Sequence, residues 1–214
     1  MATSSASGTE TTAATIDIVT PPPQGVDPDS WCLERAGFGD PAESPYILPF
    51  REGEEYYVTQ SYCFSMGGHA DQLAYDFDMP VGRSVIASRA GTVRDLREDS
   101  PDDGEGYGEH NYVMVEHEDG TVAFYAHLRR DGVLVDVGDR VEAGRVIAIS
   151  GNSGLTGGAH LHFGVYRDWP PHEGLDVPVN FRNAGGPLDA RGGLLLHRHY
   201  LALPDPGLPA AKVP

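Results

Sequence analysis

Residues 157–166, GGAHLHFGVY, set His160 and His162 two positions apart among small and apolar neighbours. In an extended strand, residues i and i+2 share a face, about 6.5–7 Å apart. Both imidazoles therefore point one way, and Leu161 and Phe163 point the other. Two imidazoles on the wet side of a half-buried strand pack poorly but present nitrogen lone pairs to a common space. His197 and His199 have the same spacing, yet Arg198 stands between them and no glycine-rich approach precedes them, so they read as surface residues. Two other stretches offer partners for the first pair. GGHADQLAYDFDMPVGRSV carries His69 and then Asp76, and FYAHL carries His127. Two imidazoles and one carboxylate, with a fourth position left to water, form the usual donor set of catalytic zinc. Such a metal lowers the pKa of its water toward 7. Proton transfer then needs further groups that titrate near neutrality, and spare histidines suit it.

Short strands must position these residues. From Tyr46 onward the runs EYYVTQSY, GRSVIAS, GTVRDL, NYVMVEH, TVAFYAHL, RVIAIS and HLHFGVY are rich in Val, Ile, Tyr and Phe and are punctuated by Gly, Asp and Pro. Each reads as a strand. NYVMVEH and TVAFYAHL flank Glu118-Asp119-Gly120, a turn in which glycine accepts positive φ, and this predicts a hairpin with His127 on its second strand. The acidic segment 95–110 lacks calcium-loop spacing and reads as a solvated loop. SGNSGLTGGAH has no following Lys-Ser/Thr and no helix pattern, which excludes a phosphate loop. It reads as a flexible loop bounding one wall of an open groove that could take an extended peptide as an added strand. GLLLHRHYLALP predicts a last edge strand.

The expected fold is all-β, an antiparallel sandwich or open barrel with a substrate groove and little helix. Residues 46–203 would form the domain, 1–45 a Ser/Thr/Ala- and Pro-rich arm or linker, and 204–214 a tail. Fifteen basic residues against 32 acidic give a net charge of −17, which disfavours nucleic acid as a partner. No run approaches the roughly 18 apolar residues of a membrane span. Cys32 and Cys63, the two cysteines, are either a disulfide or free core thiols. A bridge would imply an oxidising compartment, although the N-terminal residues lack the basic start and apolar core of a secretory signal.

The order His-loop-Asp-Phe-x-Met-Pro, then YAHL, then GNSGLTGGAHLHF resembles the LytM/lysostaphin-type zinc endopeptidases (the duplicated hybrid motif domain), which cleave peptide bonds in bacterial peptidoglycan. The resemblance runs over residues 57–167 and takes in GTV, NYVMVEHEDGT and VEAGRVIAISGNSG. It implies that His69, Asp76 and His162 hold one Zn²⁺ per chain. It also implies that His127 and His160 are unligated, one as general base and the other stabilising the oxyanion or passing protons. Many members place the aspartate four residues after the first histidine, whereas here His69 and Asp76 are seven apart. Asp78, on the same strand face, and nearby Asp71 are the alternatives to Asp76. The partner implied is a peptidoglycan peptide, a stem or a cross-bridge, and the implied location is extracytoplasmic. Several members have polar or aromatic substrate contacts near the positions of Tyr107 and Asn111, just before the hairpin, so the resemblance makes these two candidate contacts.

Two other readings compete. A catalytically silent binding or hydrolase-activating protein of the same fold would typically have lost ligands, and this chain keeps all five positions. A lipoyl-type carrier, which VEAGRVIAISGNSG also resembles, needs a lysine on a hairpin turn. The chain's single lysine is Lys212, outside the expected domain.

Overall fold

A computed structural model describes residues 28–106, 110–168, 175–205 and 207–208. Among the described residues it has one helix, α1 (Pro28–Arg35), a 3-10 turn at Pro41–Glu43, and twelve strands. The strands are β1 (Glu55–Gln60), β2 (Tyr75–Phe77), β3 (Ser84–Ile86), β4 (Gly91–Arg97), β5 (Tyr112–Glu116), β6 (Val122–Ala126), β7 (Leu128–Val133), β8 (Arg140–Val141), β9 (Val146–Ser150), β10 (Leu161–Tyr166), β11 (Ala184–Gly185) and β12 (His199–Ala202). All seven runs read as strands contain one. Nine strands form a sheet in the order β11-β12-β1-β2-β10-β6-β5-β4-β8, and β3-β9-β7 form a second, with antiparallel pairing throughout. The expected all-β antiparallel class is the one observed. The last predicted strand, β12, is not at the edge, because the two-residue β11 pairs outside it.

Alternation separates the two faces of the large sheet. Leu161, Phe163 and Val165 on β10 are fully buried, as are Phe77 on β2 and Tyr125 on β6. They pack with Phe50, Val85, Ile147 and Ala148 into one core between the sheets. The deepest tyrosines are not orphaned: Tyr125 Oη accepts from Ser88 N at 2.8 Å and Tyr75 Oη from Leu194 N at 3.3 Å. The β5–β6 hairpin turns at Gly120, with φ +81°, as its sequence predicts.

Residues 28–45, read from composition as part of an arm, carry α1 and the 3-10 turn. Cys32 and Ala36 are buried and pack with Leu73. Cys32 is joined to Cys63 by a disulfide across a separation of 31 residues, which resolves the open alternative in favour of the bridge. Closing a loop of that size restricts the unfolded chain by roughly 3.5–4 kcal/mol in the chain-entropy treatment. At the other end, Asp205 pairs with Arg182 at 2.6 Å. No helix of the described residues is long and apolar enough to cross a membrane.

Candidate metal centre and active site

The site is built on one row of cross-strand partners. Gln60 of β1 lies opposite Asp76 of β2, Asp76 opposite His162 of β10, His162 opposite Ala126 of β6, and Ala126 opposite Tyr112 of β5. Directly opposed residues share a face, so the pleat delivers the Asp76 carboxylate and the His162 ring to the same point. His69 arrives from the loop 61–74 and is buried, as is Asp76.

His69 Nε2, Asp76 Oδ1 and His162 Nδ1 form a triangle with edges of 3.0, 3.1 and 3.2 Å. Tetrahedral zinc with bonds of about 2.0–2.1 Å sets its ligand atoms roughly 3.3 Å apart. Proton counting makes the same case. If both facing ring nitrogens carry hydrogen, two donors collide across the His69–His162 edge. If either does not, its lone pair faces a carboxylate lone pair. A cation within reach of all three atoms resolves the conflict, so the residues present fit a divalent metal. Burial alone would raise the Asp76 carboxyl, but hydrogen bonds from His162 and His69, with their charge, outweigh it and hold it well below the usual range. Burial pushes the His162 imidazole down against the pull of Asp76. Asp78 is exposed, and Asp71 pairs with Arg35 instead.

His127 and His160 stand beside this triangle, with ring centroids 4.4 Å apart. His127 Nδ1 lies 2.8 Å from the Ser153 carbonyl and His160 Nδ1 2.8 Å from the Gly158 carbonyl. A carbonyl only accepts, so each Nδ1 carries a proton, and on a neutral His127 ring Nε2 presents the lone pair. His160 Nε2 lies 3.6 Å from Asp76 Oδ2. Burial, followed by the neighbouring His160, pushes His127 down to about 3 and keeps it neutral. His127 occupies the bend between β6 and β7 with φ +62°, where Gly151 N donates to its carbonyl at 3.1 Å.

Three contributions escape a reading of the sequence. Gln60 Nε2 donates to Asp76 Oδ2 at 2.6 Å while its Oε1 accepts from Gly68 N at 2.7 Å, so it orients the carboxylate. The His110 ring packs 5.5 Å from His127, tilted, and 5.6 Å from Phe124, edge to face. Phe124 in turn lies 5.8 Å from His162 and 6.3 Å from Tyr166, which gives the open face of the sheet an aromatic floor. Asn111 is fully buried and serves as scaffold, not as a surface contact. Its side chain binds Ser100 N, Ser100 O and Leu128 O, and its backbone N–H donates to Ser153 Oγ. Tyr107 lies outside the described residues. The glycine-rich loop is pinned at Ser153, whose Oγ donates to Leu128 O at 2.7 Å. His197 and His199 are exposed and pack on Tyr57, away from the cluster.

The sequence model described as Peptidase family M23 matches residues 71–177. That stretch holds Asp76, His127, His160 and His162, and begins two residues after His69. Peptidoglycan DD-endopeptidase ShyA of Vibrio cholerae is 38% identical over 88 residues, 41% of this chain and 18% of the relative. Peptidoglycan DD-endopeptidase ShyB of the same organism is 37% identical over 106 residues, 49% of this chain and 23% of the relative. The chain thus spans about a fifth of the length of these relatives. Among solved structures, the M23 metalloprotease pseudoalterin aligns with a TM-score of 0.50 at 17% identity, covering 75% of this chain and 96% of that one, a likeness of fold.

Proposed function

The chain belongs to peptidase family M23, and from that premise we propose that it is a zinc-dependent endopeptidase that hydrolyses peptide bonds in bacterial peptidoglycan. The observation that carries the proposal is the triangle of His69 Nε2, Asp76 Oδ1 and His162 Nδ1 beside two imidazoles with fixed tautomers. These three residues would hold one zinc. When bound, zinc supplies Lewis acidity, which acidifies water and polarises a carbonyl.

The remaining chemistry falls to the chain. The His127 Nε2 lone pair accepts the proton of the attacking water, and the protonated ring then returns it to the leaving amine. His160, with Nδ1 held by the Gly158 carbonyl, would have to carry a proton on Nε2 as well to donate to the charge that develops on the carbonyl oxygen, and Gln60 keeps Asp76 turned toward the two ligand rings. The open sheet face, floored by Phe124 and Tyr166, accepts the peptide. The relatives' names support the substrate class, and the disulfide agrees with an extracytoplasmic location.

The test is digestion of purified sacculi, with mass spectrometry of the released fragments and metal analysis of the same protein. About one zinc per chain, and cleavage abolished by a chelator, are expected. His162→Ala should lose both metal and cleavage. His127→Ala should keep the metal and lose about 10²–10⁴-fold in turnover. Full cleavage by metal-free, folded protein would refute the proposal. A metal-loaded wild type that leaves every sacculus intact would favour the silent, binding reading instead.

A further inference from the structure

His69 is held differently from the two imidazoles assigned to proton transfer and oxyanion contact. His127 and His160 each anchor Nδ1 on a carbonyl, but the buried Nδ1 of His69 has no hydrogen-bond partner. Ligand histidines ordinarily gain their orientation from a bond at the second nitrogen. Here the ring's direction must come from the backbone that carries it.

That backbone is a lobe of turns. Cys63 N donates to Gln72 O at 2.9 Å and closes its base, and within it Gly67 N donates to Phe64 O and Gln72 N to His69 O. Both feet of the lobe are fastened to α1. Cys63, at one foot, is bonded to Cys32. Asp71, at the other, receives Arg35 Nη2 on Oδ1 at 2.9 Å and on its carbonyl at 3.0 Å. Cys32 and Arg35 are three residues apart and so share one helical face. Arg35 Nη1 also pairs with buried Asp176, whose second oxygen accepts from Leu73 N. Asp176 bridges Tyr166 at the end of β10, the strand that carries His162 and that His160 immediately precedes. Eight residues are too few for a helix to persist alone, so α1 and the lobe hold each other.

We propose that α1 is a positioning element for the metal centre: the Cys32–Cys63 bridge and the Arg35–Asp71–Asp176 network set the place of His69, and opening the bridge weakens metal binding without unfolding the sheet. The inference rests on the reading of His69 as a zinc ligand.

The experiment compares oxidised protein, protein reduced with a phosphine, the Cys32→Ser/Cys63→Ser variant, and Arg35→Ala and Arg35→Lys with the bridge intact. The phosphine gives two electrons to the disulfide and becomes its oxide. Water supplies the oxygen and the two thiol protons. Zinc affinity is read by chelator competition, ligand geometry by the absorption spectrum of the cobalt-substituted protein, and local order by amide hydrogen exchange. Reduction should weaken zinc binding roughly ten- to hundred-fold, alter the cobalt spectrum, and speed exchange in residues 61–74 while β5 and β6 stay protected. Arg35→Ala should act in the same direction, with Arg35→Lys recovering part of the loss. Equal zinc affinity and equal cobalt spectra in the oxidised and reduced proteins would overturn the inference. So would exchange that speeds equally in β5 and β6, since the bridge would then be a general brace. If the serine variant does not fold, the Arg35 pair carries the comparison. Oxidised wild type that binds no metal would instead refute the ligand set itself, and this inference with it.

Discussion

Gly151→Ala should disable the site without touching a reacting group. A Cβ at Gly151 would sit 2.4 Å from Arg129 N, 2.5 Å from Arg129 Cα and 2.5 Å from the Leu128 carbonyl carbon. Ordinary contact between carbons is about 3.5 Å, so the two segments must part by roughly 1 Å. All three obstructing atoms are backbone, and no side chain can swing aside. The bend they belong to carries His127, whose Nδ1 bond to Ser153 O measures 2.8 Å. Lengthened by about 1 Å, that bond passes beyond hydrogen-bonding range, and the ring loses both its tautomer and its aim. A displacement of this size near a reacting centre lowers turnover about a hundredfold. Overpacking should also cost about 1–3 kcal/mol of stability. The assay is kcat on a defined cross-linked peptide, with zinc content and thermal melting measured on the same sample. Expected are a lower melting temperature, full zinc occupancy and a kcat down by about two orders of magnitude. A kcat within twofold of wild type would refute the role given to the bend.

Two further outcomes follow. Gln60→Ala removes the donor to Asp76 Oδ2 and the acceptor for Gly68 N; chelator competition should show zinc binding roughly 10–100-fold weaker, and an unchanged affinity would leave Gln60 without its orienting role. His117 is buried, its Nδ1 held 2.9 Å from Ala90 O, and burial, the largest of several opposing influences, lowers it from 6.5 to about 4. Between those values the unfolded chain binds a proton that the folded chain refuses. Its contribution is thus intact above 6.5 and is lost as the pH falls, by up to ~1.4 kcal/mol per unit. Denaturant titrations at pH 7 and pH 4 should show His117→Asn losing less stability over that span than wild type, by on the order of 3 kcal/mol. An equal loss in both proteins would contradict the assignment.

The strands were legible because each carries its own signal: β-branched and aromatic residues in alternation, with glycine turns between them. The site-facing side of His162 on β10, opposite buried Leu161 and Phe163, followed from a period of two, with His160 lying just before the strand begins. The position of Gln60 did not. Val58 opposes Phe77 and Gln60 opposes Asp76, so two residues of β1 match one of β2. This bulge turns Gln60 to the site face, where strict alternation would have kept it with Val58. Nothing local in EYYVTQSY announces it. His110 was hidden for a similar reason, because its contact with His127 depends on how the loop after β4 folds back over the glycine-rich segment. The inclusion of residues 28–45 in the arm followed composition, which is blind to a buried Cys32 or to an Arg35 that finds its carboxylates 36 and 141 residues away.

The left-handed backbone at His127 has an evolutionary consequence. A side chain at φ +62° carries a conformational penalty of roughly 1–2 kcal/mol that glycine would not bear. Position 127 is therefore one at which the best-folding residue and the useful residue differ. Variants selected only for tolerance to heat would drift toward glycine there and become sturdier proteins with an empty place where the proton acceptor stood.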